Sequence, residues 1–368
     1  MIPADIVSDL RRQRLKRGPS RRSILSNLES LYVEHPIFQK AVKEVEAALN
    51  LHGNASILPN LQISGVSGVG KTTLVEKIMG KYPSISNGRK FKLTSGFDAW
   101  CDEIPVLRVD MPVQPSVEAL ARAFLKAYGD PKHASGDKKS VEERLRIYIY
   151  ASGTKAFLID EAQRAVDRNG TIVKQELAFW LQDLHEKNYV SIIIVGLGRT
   201  NFLFDQDTQV ERRWDSEIRM TPYQWGGGDV EPESRLHFIA LLIAFRDNFP
   251  IEWPDDLNLV DDDICLKFYY ASRGVIGYLK KLLHRLLRIV VSENLTGISS
   301  AHFYMAFDLA FRKEVRGGSL QNPFDLKWEP VLPPPLPDDT QLINLPRKRH
   351  KKTKGAQKAE LTYALTVA

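Results

Sequence analysis

Residues 61–75 read LQISGVSGVGKTTLV, and this stretch decides the fold. A short apolar run (Leu61–Ser64) leads into a glycine-rich turn, and a run with helical spacing begins near Lys71. Gly65-Val66-Ser67-Gly68-Val69-Gly70-Lys71-Thr72 fits the pattern G-x-x-x-x-G-K-[ST], with Thr73 following. Glycines at these positions let backbone N–H groups curl round phosphates, and the N-terminus of the next helix adds partial positive charge. Lys71 then reaches the β- and γ-phosphates, and the Thr72 hydroxyl serves Mg²⁺. The implied ligands are ATP and Mg²⁺.

Further on, Phe157-Leu158-Ile159-Asp160-Glu161 is an apolar strand that ends in two acids, with Asp160 eighty-nine residues after Lys71. Asp160 suits the metal shell, and Glu161 suits polarisation of an attacking water. The acid pair argues against a small-molecule kinase. The guanine-reading string N-K-x-D is absent, which disfavours a GTPase. Beyond a further apolar strand, Val190–Val195 (VSIIIV), come Gly196-Leu197-Gly198-Arg199-Thr200 and then Arg212-Arg213-Trp214. An arginine pair before an aromatic residue suits a finger that completes the γ-phosphate site of a neighbouring copy.

Strand candidates at 61–64, 104–109, 156–159 and 190–195 alternate with helical stretches around 116–128, 141–152 and 173–188. That alternation expects a parallel sheet covered by helices on both faces. An all-helical character begins near Glu231. Leu236, Ile239, Ala240 and Ile243 mark one helix face, and Leu279, Leu282, Leu283, Leu286, Leu287 and Val290 mark another. A third helix is expected over 302–315. The chain therefore divides into a basic arm (1–34), an α/β core (35–230), a helical lid (231–318) and a proline-rich, then basic, extended tail (319–368).

The chain has 368 residues, 43% of them apolar and 26% charged, an ordinary globular composition. Its most apolar stretch, 237–245, is far below the ~20 residues that a membrane span needs. The first residues carry charge without an apolar leader, and the two cysteines have no metal-ligand spacing. These features expect a cytosolic protein with no membrane partner. Net charge is +6, yet Arg11–Arg22 and Arg347–Lys358 each carry seven basic residues and no acid. Without those fourteen charges the body stands at −8. Basic ends on an acidic body suit a polyanion, because each neutralised phosphate releases counterions. Arg89 and Lys90, read with Lys92 as one loop, and Lys132, Lys138 and Lys139 in another, are the candidate duplex contacts.

GVSGVGKT, FLIDEAQR, VSIIIVGLGRT, QVERRW and SRGVIGYLKKLL, in this order and spacing, resemble the TniB/TnsC family of AAA+ regulators of DNA transposition. The segment IPVLRVDMPVQPSVEALARAFLKAYGD carries a P-x-x-P-[ST] string similar to that family's, and the resemblance covers roughly 35–295. It implies an AAA+ P-loop NTPase with a parallel sheet sandwiched by helices, then a small helical lid. It also implies self-assembly as rings or filaments on duplex DNA without sequence reading, and partnership with transposase subunits and a target selector of the TniQ type. Carried over by position, Lys71 and Thr72 serve the first Walker motif, and Asp160 and Glu161 the second. Arg213 is the better match to the finger, with Arg212 second. The family's polar sensor falls on Leu197, leaving Arg199 or Thr200 to substitute, and near the lid sensor the cations are Arg273 and Lys280. Slow, assembly-dependent ATP hydrolysis follows. A helicase loader or initiator, and a STAND-type signalling ATPase, are the alternatives. The tail is expected to contact the transposase machinery.

Overall fold

The computed structural model describes residues 36–52, 58–92, 96, 98–167, 171–204, 214, 216–226 and 233–341. The basic arm, Arg212, Arg213 and the basic run Arg347–Lys358 lie outside them. In chain order the first part comprises α1 (Pro36–Asn50), β1 (Leu61–Gly65), α2 (Lys71–Lys81), β2 (Ile85–Lys92), β3 (Asp98–Glu103), β4 (Val106–Asp110), α3 (Val117–Ala127) and α4 (Lys138–Ser152). β5 (Ala156–Asp160), α5 (Gln163–Asp167), α6 (Thr171–Asn188), β6 (Ser191–Gly196), a 3₁₀ turn (Gly198–Leu203) and β7 (Ser216–Met220) follow.

Five strands form one sheet in the order β4-β5-β6-β1-β7, every neighbouring pair parallel. Sequence alternation explains why the sheet is covered on both sides. In β5, Phe157 and Ile159 enter one core with α3, α4 and α6, whereas Ala156 and Leu158 enter the opposite core with α1 and α2. β6 divides likewise, Ile192 and Ile194 against Ile193 and Val195. A strand buried on both faces needs an unbroken apolar run, and these runs are what the sequence shows.

β2 and β3 form a separate antiparallel hairpin. Arg89, Lys90 and Lys92, expected in a loop, stand on β2 instead. The strand is polar and mostly exposed on both faces, so no apolar alternation announces it.

The second part is helical: α7 (Glu233–Asp247), a 3₁₀ turn (Asp255–Leu257), α8 (Asp262–Ser272), α9 (Ile276–Ser292), α10 (Ser300–Ala310) and α11 (Arg312–Arg316). The third expected helix breaks at Phe311, which caps α10. On α9 the leucine stripe is buried as its spacing predicts. On α7 the expected face is reversed: Phe238, Leu241, Leu242 and Phe245 are buried, while Leu236 and Ile243 are exposed. The two stripes share the same spacing, and the bulkier one, with two phenylalanines, wins the core.

The tail expected from residue 319 begins later. Leu320, Phe324 and Trp328 are buried in the helical core, and the Asn322 amide donates to the Tyr304 carbonyl (2.9 Å) and to Asp308 (2.8 Å). Extended chain runs only from about residue 329. Among the described residues no helix is long and apolar enough to cross a membrane.

Phe268 centres the helical core, fully buried and in ring contact with Trp253 (4.9 Å), Phe303 (5.6 Å) and Phe324 (5.3 Å). Phe268→Ala is expected to cost about 3–5 kcal/mol of stability, read as a lower denaturant midpoint; an unchanged midpoint contradicts this packing.

Candidate nucleotide site

β1 is paired on both sides, between β6 and β7, and its exit sets the site. Open parallel sheets bind ligands at the carboxyl ends of their strands, and the Gly65–Thr72 loop begins there. Gly68 and Gly70 take φ of 83° and 112°, a region that a side chain disfavours. The turn they allow delivers the chain into α2, whose N-cap, Gly70, makes no side-chain capping bond. The first-turn N–H groups of α2 are thus left for a ligand. The Lys71 ammonium donates to the carbonyls of Gly65 (2.5 Å) and Val66 (2.9 Å), which holds it over the loop. Burial pushes the Lys71 pKa down, and Asp339, Asp160 and Glu161 push it back up. Val69 is buried, Val66, Gly70, Lys71 and Thr73 are half-buried, and Ser67, Gly68 and Thr72 are exposed.

Asp160 ends β5, 5% exposed. One carboxylate oxygen accepts the Glu161 N–H (2.8 Å), and the other accepts from Arg108 of β4 (3.1 Å). Burial raises its pKa, against the lowering effects of the Glu161 N–H and Arg108. Glu161 adopts a left-handed backbone, φ 57°, strained for a non-glycine residue and frequent at functional sites. Its carboxylate accepts from Gln163 (2.9 Å) and pairs with Arg164 (3.5 Å). Arg164 also donates to the Met111 carbonyl (2.8 Å), fixing the exit of β4 beside that of β5.

Gln163 reaches further. Its side-chain carbonyl accepts the Leu197 N–H (3.3 Å), so one amide joins Glu161 to the turn after β6. Neither expected sensor substitute makes this link. Arg199 is committed to Asp167 through two bonds (2.5 and 2.8 Å), and Thr200 is buried against Gly196. Sequence reasoning missed Gln163 although it stands two residues past Glu161, because a lone amide carries no pattern. Arg108 went unnoticed for the same reason.

The helical part closes on the loop at one point. The Gly277 N–H donates to the Gly68 carbonyl (2.9 Å), and a Cβ on Gly277 would stand 2.8 Å from the Gly68 Cα. Only glycine permits this approach. Lys280 lies one turn further along α9, half-buried, and Arg273 caps α8 with φ 52°. Trp214, next to the finger candidates, is buried and stacked on Phe204 at 4.1 Å.

A triphosphate fits these residues: glycine turn, open helix N-terminus and lysine converge at one strand exit. Asp160 and the exposed Thr72 hydroxyl are the groups able to hold Mg²⁺. Among the described residues no group of three His, Cys, Asp or Glu side chains is placed to hold a metal ion by itself. Mg²⁺ commonly takes only one or two carboxylates plus phosphate and water.

The two basic sets are not together. Arg89 packs on Gly153, just past the C-terminal end of α4, whereas Lys138 and Lys139 open α4. A 15-residue helix separates them by about 22 Å. Lys132 is in the turn that precedes α4, its N–H bonded to Asp130 (2.8 Å).

The fold has known counterparts. The chain is similar to the ORC2 protein of Aeropyrum pernix, solved in ADPNP–ADP complexes, at 14% identity and TM-score 0.55, over 77% of this chain and 71% of that one. It is similar to Cdc6p of Pyrobaculum aerophilum at 13% identity and TM-score 0.53, over 76% and 69%. The architecture is that of the AAA+ P-loop ATPases. A 142-residue stretch is 30% identical to ABC multidrug transporter B of Aspergillus fumigatus, covering 37% of this chain and only 10% of the transporter. The family described as Bacterial TniB protein matches residues 24–224, more than half of the chain, and the chain belongs to that family.

Proposed function

We propose that this protein is an ATP-dependent regulator of DNA transposition that assembles in multiple copies on duplex DNA and links a target selector of the TniQ type to transposase subunits. The observation that carries the reading is the convergence of Lys71, Asp160 and Glu161 at the exit of the central strands, with a lid joined to the phosphate loop. Family membership supports the transposition setting.

In this reading the loop N–H groups and Lys71 bind the phosphates, and Thr72 and Asp160 hold Mg²⁺. The metal, when bound, neutralises charge on the transferred phosphoryl group. Glu161 accepts a proton from the attacking water, and its strained backbone and the Gln163 amide fix its direction. Arg213, or Arg212, reaches the γ-phosphate of a neighbouring copy. Lys280 approaches the nucleotide from the lid, so nucleotide state sets lid position and, through it, the fit between copies. Hydrolysis resets the assembly.

For the duplex, the β2–β3 hairpin is the better of the two basic sets. Lys90 and Lys92 are exposed, and Trp100, opposite Lys90 in register, is 63% exposed. Cations interleaved with an exposed aromatic ring suit nucleic acid without base reading.

Glu161→Gln is expected to keep ATP affinity while phosphate release falls by about 10²- to 10⁴-fold; normal turnover removes Glu161 from this role. Replacing Lys90 and Lys92 together with alanine is expected to lower the slope of log affinity for duplex DNA against log salt by about 2. Replacing Lys138 and Lys139 is expected to leave it unchanged, and the reverse outcome moves the interface to the start of α4.

A further inference from the structure

Beyond Trp328 the chain reads Glu329-Pro-Val-Leu-Pro-Pro-Pro-Leu-Pro-Asp338-Asp339-Thr340. Five prolines keep it extended, and it returns from the helical core to the strand exits of the sheet. There Asp339 is held at several points. Its carboxylate accepts the Gly198 N–H (2.9 Å) and lies 3.4 Å from the Arg219 guanidinium. Its carbonyl accepts the Arg199 N–H (2.9 Å), and its side chain is only 9% exposed. Asp338 shapes the turn, accepting from the Thr340 N–H (2.9 Å) and hydroxyl (2.5 Å). Gly198 is required for the fit, since a Cβ there would lie 2.9 Å from Thr340 Cγ2 and 3.0 Å from an Asp339 carboxylate oxygen.

The location gives the contact its meaning. Gly198 follows β6, and Arg219 is on β7; β1 runs between those two strands and launches the phosphate loop. A carboxylate bridging Gly198 and Arg219 therefore spans the strand whose exit carries Lys71.

We propose that Gly198, Arg199 and Arg219, at the exits of the two strands that flank β1, form a binding site for an acidic turn, that the chain's own Asp338–Thr340 fills it, and that this turn competes with the phosphates of a nucleoside triphosphate. The proposal rests on the phosphate-loop reading and adds a regulator to it. A carboxylate and a phosphate oxygen make the same demands on backbone N–H groups and a guanidinium, so the two anions exclude each other at one strand exit. Triphosphate binding then releases the strap, and a partner that captures the strap raises affinity for triphosphate. The proline run keeps the acid close to its site without fixing it there, which suits a reversible latch.

The competition lowers apparent nucleotide affinity by the fraction of molecules with the strap lifted. Binding of N-methylanthraniloyl-ATP to the full chain is measured for the wild type and for Asp339→Ala. The variant is expected to bind about tenfold more tightly, the order that loss of one charge-assisted contact gives. Equal or weaker binding by the variant overturns the proposal and makes the strap a structural brace. Amide hydrogen exchange of the wild type gives a second reading that needs no variant: saturating non-hydrolysable ATP is expected to speed exchange across 336–341, and unchanged protection overturns the proposal. Absence of nucleotide binding by both proteins has a distinct signature, since it removes the phosphate-loop reading together with the latch.

Discussion

The hydrogen bond from Gly277 to the Gly68 carbonyl ties the helical part of the chain to the glycine loop, and the proposed function depends on it as the contact through which a bound nucleotide would reach the rest of the molecule. A phosphate loop must turn its carbonyls outward to aim its N–H groups inward, and one of those carbonyls has its partner in the lid. Two glycines meet at that point, 2.8 Å apart for a hypothetical Cβ, so any shift of the loop is transmitted to α9 without a compliant side chain between them. α9 carries the leucine stripe that organises the helical core, which couples a small motion at the loop to a rigid body. In the proposed function, the site and the helical part would therefore move together.

The charges around this contact are balanced rather than simply complementary. Lys71 is buried enough to lose part of its affinity for a proton, and three acids offset only part of that loss. Asp160 is buried enough to resist ionisation, and Arg108 together with the Glu161 N–H counters that. Glu161 is held by Gln163 and Arg164 in a backbone conformation that costs energy. A site tuned in this way is sensitive to an added or removed negative charge at its rim, which is where Asp339 stands.

The sheet and the phosphate loop were legible in the sequence because their physics is local. Strands buried on both faces need continuous apolar runs, and a glycine turn before a helix has a fixed residue pattern. Features that depend on distant partners were not legible. β7 has a polar, alternating sequence, SEIRM, and owes its place to pairing with β1. The β2–β3 hairpin buries little and carries no apolar signal. On α7, two stripes of equal spacing competed, and only burial in the helical core, where Phe238 meets the rings of Tyr223, Trp225 and Tyr269, selects Phe238 and Phe245. Trp328 reads as tail because prolines follow it, yet it is in ring contact with Tyr270 at 5.5 Å. Gln163, Arg108 and Asp339 are single polar residues whose roles exist only once the five strands of the sheet are assembled in the order β4-β5-β6-β1-β7.

The claim that a triphosphate clasped at Lys71 drives assembly on DNA is tested most directly by sedimentation of the full chain with duplex DNA and Mg²⁺, in ADP or in a non-hydrolysable ATP analogue, beside Lys71→Ala. Large complexes are expected only for the wild type, only with the ATP analogue and only when duplex is present. A sedimentation profile that is the same in all of these conditions contradicts it.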